Sequence, residues 1–146
     1  MKTGITFSAF DLMHTGHSLM LKECKENCDY LIVGLLTDPT IDRPFKNKPV
    51  QTLFERYTLL RSNKYIDEII PYSTEKELEE ILLSLKVDVR FIGEDYLDKD
   101  FTGKDICLNN GIDIFFNKRQ HSFSSTRLRK KIIDQNFFDL NKEGTE

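Results

Sequence analysis

Short apolar runs alternate along this chain with longer segments that have helical spacing. Short alternating runs are typical of β-strands, and runs without polar positions are typical of strands buried on both faces of a parallel sheet. The pattern predicts five strands, at residues 4–9, 30–36, 66–71, 87–93 and 112–116.

Between the strands, apolar residues recur three and four positions apart, which predicts helices. Terminal residues support this assignment, because Thr52 and Glu55 have capping-box spacing and Asn110 with Gly111 is a typical helix stop. The other expected N-caps are Ser73 or Thr74 for the third helix, and Ser124 or Ser125 for a last helix ending near residue 135.

Strands and helices alternate through the whole chain, which predicts an α/β fold. We expect a Rossmann-like, open, mostly parallel five-stranded sheet with helices on both faces and right-handed crossovers. Residues 1–138 would form this domain, and residues 139–146 a polar tail. Ligands bind such sheets beyond the carboxyl ends of the strands, so the loops that follow the strands are the candidate site.

Composition narrows the classes of function. The chain has 146 residues and a formal net charge of −3, so it lacks the positive field of a non-specific nucleic-acid-binding protein, and we expect no nucleic-acid partner. No run approaches the ~20 apolar residues of a membrane span, so membrane insertion is not expected. The three cysteines show no disulfide framework, which favours a cytoplasmic protein. Basic residues cluster at 43–48, 56–64 and 118–131, which favours a small anionic ligand.

The first predicted strand ends in a segment whose residue types suit phosphate binding. Residues 10–17 read Phe-Asp-Leu-Met-His-Thr-Gly-His and lead directly into the first helix. The N–H groups and positive dipole end of that helix attract anions, Gly16 permits close approach, and the His14 and His17 imidazoles add donors. The α-phosphate of a nucleoside triphosphate is therefore the expected ligand. A solvated turn is one alternative, and half of a zinc site, completed by cysteines or His121, is another.

Phe10-Asp11 followed by His14-Thr15-Gly16-His17 resembles the FD…HxGH signature of the small bacterial cytidylyltransferases, the glycerol-3-phosphate cytidylyltransferase-like family. The similarity covers nearly the whole chain, through residues 37–38, 46–48, 55–56, 65–70, 93–95, 119 and 124–126. The resemblance implies transfer of CMP from CTP to a small phosphorylated alcohol, foremost glycerol 3-phosphate, with release of pyrophosphate. It also implies Mg²⁺ with the nucleotide, a homodimer, and a product used for surface polymers or lipid headgroups.

The resemblance further assigns roles to individual residues. His14, His17 and Lys46 would be the catalytic groups that contact the reacting phosphates. The acceptor would be bound by Lys48, Arg56 and Lys64. The nucleotide would be bound by residues at the strand ends and at the start of the last helix, namely Ala9, Phe10, Gly16, Gly93, Asp95, Arg119, Ser124, Ser125 and Thr126. No protein ligand for the metal is assigned.

Several departures from the family pattern bear on the substrate. The chain reads Ser8-Ala9-Phe10 where the family has Gly-Thr-Phe, and it has Lys64 where the family has Arg. Residues 123–129 resemble the Ile-Ser-Ser-Thr-x-x-Arg motif of the related adenylyltransferases. The alternatives are therefore an adenylyltransferase acting on another small phosphate and a non-catalytic nucleotide-binding domain. For a cationic acceptor headgroup, the candidate aromatic and acidic box is Tyr96, Asp98 and Phe101.

Overall fold

The sheet contains all five predicted strands, with ends shifted by at most two residues. In the computed structural model, the described residues are 1–119 and 123–143, with side chains described up to residue 136. The strands are β1 (Thr3–Ser8), β2 (Tyr30–Leu36), β3 (Glu68–Tyr72), β4 (Val89–Gly93) and β5 (Asp113–Asn117).

The strand order is β3-β2-β1-β4-β5, and every neighbouring pair is parallel. The central strand is β1, where Ile5 pairs with Ile32 of β2 and with Arg90 of β4. The chain winds outward through β2 and β3, and then continues on the other side of β1 through β4 and β5. The direction therefore reverses between β1 and β4, and the carboxyl ends of these two strands form the crevice where open α/β sheets bind ligands. The Rossmann-like prediction is confirmed.

In the described part of the chain, five α-helices connect and follow the strands. They are α1 (Thr15–Glu26), α2 (Leu53–Arg61), α3 (Glu75–Ser84), α4 (Lys104–Asn109) and α5 (Ser125–Glu143). Thr52 and Glu55 form the predicted capping box, and Thr74 rather than Ser73 caps α3. Gly111 has a φ of 68° after α4, as the predicted stop requires. None of these helices, as far as the structure describes them, is long and apolar enough to cross a membrane.

The last helix is longer than its apolar pattern predicts. Ser124 caps it, since its Oγ accepts a hydrogen bond from Arg127 N at 3.0 Å. The helix continues to Glu143, so the predicted helix end near residue 135 is wrong, and residues 139–143 of the predicted tail are helical. The sequence has no Gly or Pro between Ser125 and Gly144, and nothing in it stops a helix earlier. Residues 144–146 lie outside the described residues.

Two apolar clusters cover the two faces of the sheet. One contains Leu21 of α1 and Leu60 of α2, and the other contains Leu78 of α3 and Cys107 of α4. Helices α1 and α2 therefore pack on one face, and α3 and α4 on the other. The central strand β1 therefore lies between two layers of helices.

Candidate active site

Two histidines begin α1 and satisfy its first backbone donors. His14 is the N-cap, and its Nδ1 accepts a hydrogen bond from Gly16 N at 3.0 Å. His17 Nδ1 accepts one from His14 N at 3.1 Å, which completes a capping box built from imidazoles. A ring nitrogen that accepts a hydrogen bond carries no proton, so each neutral ring holds its proton on Nε2. The turn thus fixes the tautomer in which Nε2–H is a donor.

His17 is neutral at physiological pH. Its pKa is lowered from the ordinary 6.5 to about 4, mainly by burial and also by the nearby charge of His14, while Asp11 acts in the opposite direction. The His14 and His17 ring centroids lie 4.0 Å apart, and the Phe10 ring lies 5.5 Å from that of His17. The physical consequence is that His17 acts as a hydrogen-bond donor and not as a proton acceptor or a permanent cation.

The depressed pKa of His17 predicts a specific loss of stability in acid. The unfolded chain binds a proton at this histidine below about pH 6.5, whereas the folded protein resists it until about pH 4. Stability therefore falls as the pH drops through this window. Urea unfolding at pH 7 and pH 4.5 should show the wild type losing about 2 kcal/mol more than His17→Asn, which has no titrating ring. Equal losses would contradict a neutral, buried His17.

Asp11 joins three segments that are distant in sequence. Its carboxylate accepts hydrogen bonds from Val50 N at 2.8 Å and Gln51 N at 3.0 Å, and it pairs with Arg129 Nη2 at 2.6 Å. Ser125 Oγ donates to the Asp11 carbonyl at 2.8 Å. Burial alone would raise the pKa of Asp11, but the two amides and the Arg129 guanidinium hold it below its usual range. The Asp11 carboxylate therefore has a structural role, which is to hold these segments together.

The turn around Asp11 is conformationally strained. Phe10 and Leu12, on either side of it, have φ angles of 50° and 51°, a left-handed conformation that residues other than glycine rarely adopt. Leu12 N donates to Gln51 Oε1 at 2.9 Å, so the 50–51 segment holds both Asp11 and Leu12. This turn leads into His14, the N-cap of α1.

One pocket brings together both histidines and the start of α5. It has a volume of about 320 Å³ and lies beside the carboxyl ends of β4 and β5 and the start of α1. The two histidines predicted as catalytic line it together with six of the nine predicted nucleotide-binding residues, namely Gly16, Gly93, Asp95, Arg119, Ser124 and Ser125. Arg119 N donates to Glu94 Oε1 at 3.1 Å, which ties the β4 and β5 loops together. We call this space the histidine pocket.

A larger cavity of about 910 Å³ lies on the face of the sheet covered by α3 and α4. Its wall includes Ser8 and Ala9 at the end of β1, and Lys46 from the loop after β2. Arg43 in the same loop is paired with Glu75 of α3. We call this space the second cavity. The second cavity is lined by residues of β1, β4 and α3, whereas the histidine pocket is lined by residues of β4, β5 and α1.

Arg56 differs from its predicted role in acceptor binding. Its side chain is 2 % exposed, and its guanidinium donates to the carbonyl groups of Gln51, Ala9, Leu36 and Thr37 at 2.6–3.2 Å. Leu36 is the last residue of β2, and the other three carbonyls belong to the loops after β1 and β2. Arg56 is therefore a structural residue that fixes these loops.

Other predicted residues lie away from the pockets. Lys64 is exposed in the turn before β3, with its Nζ 5.2 Å from the Tyr65 ring centroid, and it lines neither space. The same holds for the exposed Lys48 and Thr126. Phe10 is 1 % exposed and belongs to the core. None of these four side chains therefore lines either space. Their position near a motif in the sequence does not determine the direction of the side chain.

The described residues offer no metal site of their own. They contain no group of three or more His, Cys, Asp or Glu side chains able to hold an ion, and His121 lies outside the described residues. Cys24 and Cys107 are buried, and Cys28 is half-buried. Burial raises the pKa of the Cys24 thiol to about 12, so it stays protonated and serves packing.

Sequence reasoning missed Arg90, a charged residue in the centre of β4. It is 4 % exposed and lines the second cavity. The sequence does contain a signal for it, because Arg90 stands between the apolar residues Val89 and Phe91 of a predicted strand. A charged side chain inside a buried strand needs a compensating partner, so such a residue is a candidate for a functional role.

Comparison with known proteins decides the family. The cytidylyltransferase-like family matches residues 5–131, which include both histidines, β4 and the start of α5. This chain belongs to the cytidylyltransferase-like family. It is a nucleotidyltransferase, and the histidine pocket lies within the matched region.

Among relatives of this cytidylyltransferase-like enzyme are two glycerol-3-phosphate cytidylyltransferases. That of Staphylococcus aureus is 31 % identical over 132 residues, covering 90 % of this chain and 96 % of the relative, and that of Bacillus subtilis is 29 % identical over 132 residues, covering 90 % and 98 %. The bifunctional protein HldE of Caulobacter vibrioides is 33 % identical over 129 residues, or 88 % of this chain. The chain spans only about a quarter of the length of that relative, 26 %.

Solved structures agree on the fold. The lipopolysaccharide core biosynthesis protein of Thermoplasma volcanium superposes with a TM-score of 0.68 at 23 % identity, covering 83 % of this chain and 99 % of that one. A putative nicotinate-nucleotide adenylyltransferase from Vibrio parahaemolyticus gives 0.57 at 15 % identity, covering 92 % and 89 %. At these identities the likeness concerns the backbone architecture.

Proposed function

We propose that this enzyme transfers CMP from CTP to a small phosphorylated alcohol, with glycerol 3-phosphate as the reference acceptor. The observation that carries the proposal is the histidine pocket, where the start of α1 and the start of α5 line one space. Ser125 Oγ bonds to the Asp11 carbonyl and holds these two helix starts together. Two helix N-termini with hydroxyl and imidazole donors suit a polyphosphate. Relatives named for this reaction match over 90 % of the chain.

In the proposed reaction, an oxygen of the acceptor phosphate attacks the α-phosphorus of CTP in line. A new P–O bond forms as the bond between the α-phosphorus and the bridging oxygen breaks, and the electron pair leaves with pyrophosphate. The attacking phosphate is already ionised, so no protein base is required. The Nε2–H group of His17 would donate to an α-phosphoryl oxygen, on which negative charge accumulates in the transition state. A fixed donor in this position lowers the barrier because it needs no reorganisation.

The leaving pyrophosphate is proposed to lie at the start of α5. Ser124 and Ser125 line the pocket there, and the first turn of a helix offers unpaired N–H groups and a positive dipole end. Arg119 enters the same pocket from the loop after β5. Mg²⁺ would accompany the nucleotide and neutralise phosphate charge. Phosphate oxygens and water would supply most of its ligands, as is usual for Mg²⁺ bound with a nucleotide.

The acceptor is proposed to enter from the second cavity. This cavity reaches the end of β1 through Ser8 and Ala9, and Lys46 is on its wall. Lys46 is exposed, so its ammonium group is available to a dianionic phosphate. An acceptor bound there would approach the α-phosphate from the side of the sheet opposite the leaving group.

Replacing Lys46 should affect the acceptor more than the nucleotide. For Lys46→Ala we expect kcat/KM for glycerol 3-phosphate to fall about 10²-fold, because a charge-assisted contact to phosphate is removed, while the KM for CTP changes little. Lys48→Ala is the matched control, since this lysine is two residues away but lines neither space. Steady-state kinetics with each substrate varied in turn measure both effects. Equal defects in the two variants would argue that the loop acts only through its overall charge.

The decisive test of the proposed function is pyrophosphate release from each nucleoside triphosphate, paired with a panel of phosphorylated alcohols. CTP with at least one acceptor should turn over, and ATP should not. Turnover with ATP alone would identify the adenylyltransferase alternative, which the 123–129 segment resembles. Arg129 of that segment is already paired with Asp11, which weakens its assignment to a nucleotide. Nucleotide binding without pyrophosphate release would identify a non-catalytic domain.

The oligomeric state belongs to the same proposal. The homodimer implied by the family resemblance predicts a molar mass of twice the 17.1 kDa chain. Sedimentation equilibrium at several protein concentrations measures it directly. A single species at the chain mass would contradict the dimer without affecting the proposed reaction.

A further inference from the structure

Arg90 is a buried cation without a counter-charge. It is 4 % exposed, and no carboxylate of the described residues lies within 4 Å of its guanidinium. Its Nη1 donates to the Thr102 carbonyl, and its Nε has no hydrogen-bond partner within the described structure. Burial lowers the pKa of Arg90, which reflects the energetic cost of holding this charge. An unpaired buried charge lowers the free energy of unfolding, so such a charge is rare in proteins unless it has a function.

Aromatic rings hold the guanidinium at the wall of the second cavity. The Arg90 guanidinium carbon is 5.1 Å from the Phe7 ring centroid and 4.9 Å from that of Phe101. Tyr96 packs edge-on against Phe101, with centroids 6.2 Å apart. Cation–π contacts offset only part of the lost hydration of a guanidinium. One of them occupies a face of Phe101, which the sequence suggested as part of a box for a cationic headgroup, and Arg90 would repel such a headgroup.

Arg90 is placed to meet the far end of an acceptor. It pairs with Ile5 in the sheet, three residues before Gly93, so its Cα lies about 10 Å along β4 from the strand end where the reaction is proposed. Lys46 is on the wall of the same cavity. The cavity, at about 910 Å³, has room for more than a phosphate group. A molecule with its phosphate at the strand end would extend toward Arg90.

We propose that Arg90 determines acceptor specificity and that the acceptor, in addition to its phosphate, carries an anionic group such as a carboxylate at its distal end. This inference rests on the proposed function and narrows its substrate class to phosphorylated hydroxy acids. A carboxylate supplies the charge and the acceptor oxygens that the guanidinium lacks within the described structure. The described wall of the second cavity has four acidic and four basic side chains, so its net charge gives no general preference for anions. Discrimination between anionic and neutral acceptors therefore depends on Arg90.

The test compares two acceptors that differ in one group. 3-Phosphoglycerate has a carboxylate where glycerol 3-phosphate has a hydroxymethyl group, and phosphocholine provides a cationic comparison. In pyrophosphate release with CTP, the wild type should use 3-phosphoglycerate with the highest kcat/KM and phosphocholine with the lowest. Arg90→Met should lower kcat/KM for 3-phosphoglycerate about 10²-fold, through KM, and leave glycerol 3-phosphate within about twofold. Lys104→Met is the control, because Lys104 is a second cation that lines the same cavity and lies over the Phe101 ring but is less buried than Arg90, and this variant should keep the preference.

A stability measurement separates recognition from packing. Replacing an unpaired buried charge by an apolar side chain of similar length should leave the urea midpoint of R90M unchanged or higher. A lower midpoint with an equal loss for all acceptors would overturn the inference, because Arg90 would then only fill the core. A wild type that prefers glycerol 3-phosphate would also overturn it and would leave the proposed function intact. Absence of pyrophosphate release with CTP and any acceptor would instead refute the proposed function itself.

Discussion

His17→Asn should fold normally and lose at least about 10²–10³-fold in kcat. The Asn Oδ1 can take the position of Nδ1 and accept the hydrogen bond from His14 N, so the capping of α1 is kept. No group then occupies the position of Nε2, and the donor to the α-phosphoryl oxygen is lost. Removal of one such donor from a preorganised site has an effect of this size. The measurement is pyrophosphate release with CTP under saturating substrate, with urea unfolding to show that the fold is intact.

His17→Gln is the matched control, because its amide nitrogen can reach the position of Nε2 but leaves His14 N without its acceptor. We expect this variant to keep more activity than His17→Asn and to be less stable. The opposite order, with the asparagine variant the more active, would mean that His17 serves only to cap the helix.

Arg56→Met should lower the free energy of unfolding by about 3–5 kcal/mol. The substitution leaves the carbonyls of Gln51, Ala9, Leu36 and Thr37 without the donor that Arg56 supplies. A loss of this size is a large share of the stability of a small domain. Urea unfolding monitored by circular dichroism measures it.

Arg61→Met, on the same helix but exposed, should change stability by less than about 0.5 kcal/mol. If Arg56 instead binds the acceptor, as the family resemblance implies, Arg56→Met would keep its stability and raise only the KM for the acceptor. The two measurements together therefore distinguish the structural role from the predicted one.

The part of the fold that depends on local pattern was predictable. The strands follow from apolar runs, and the capping box at Thr52 and Glu55 follows from residue spacing, because both are set by neighbours within a few positions. The histidine pocket was predictable for a related reason: in a parallel sheet, the loops after the strands meet at one edge. The family resemblance adds the specific residues, because it assigns His17 and Ser125 to one site from positions more than a hundred residues apart, and both line the histidine pocket.

The direction of individual side chains was not predictable. Arg56 and Lys46 are both basic residues near the motif, yet one is buried against carbonyls and the other is exposed on a cavity wall. Only the three-dimensional path of the loops after β1 and β2 decides between these outcomes. The surroundings of Arg90 were not predictable for the same reason. Its aromatic neighbours are Phe7 of β1, more than eighty residues earlier in the sequence, and Phe101 of the loop before α4.

The Asp11 carboxylate bonds to residues 39, 40 and 118 positions further along the chain. During synthesis, the histidine motif therefore leaves the ribosome long before the guanidinium that completes its support. A nascent chain that stops before Arg129 contains both histidines at the start of α1, but its Asp11 lacks the guanidinium partner. Under the proposed function, nucleotide binding is thus one of the last properties that the growing polypeptide acquires.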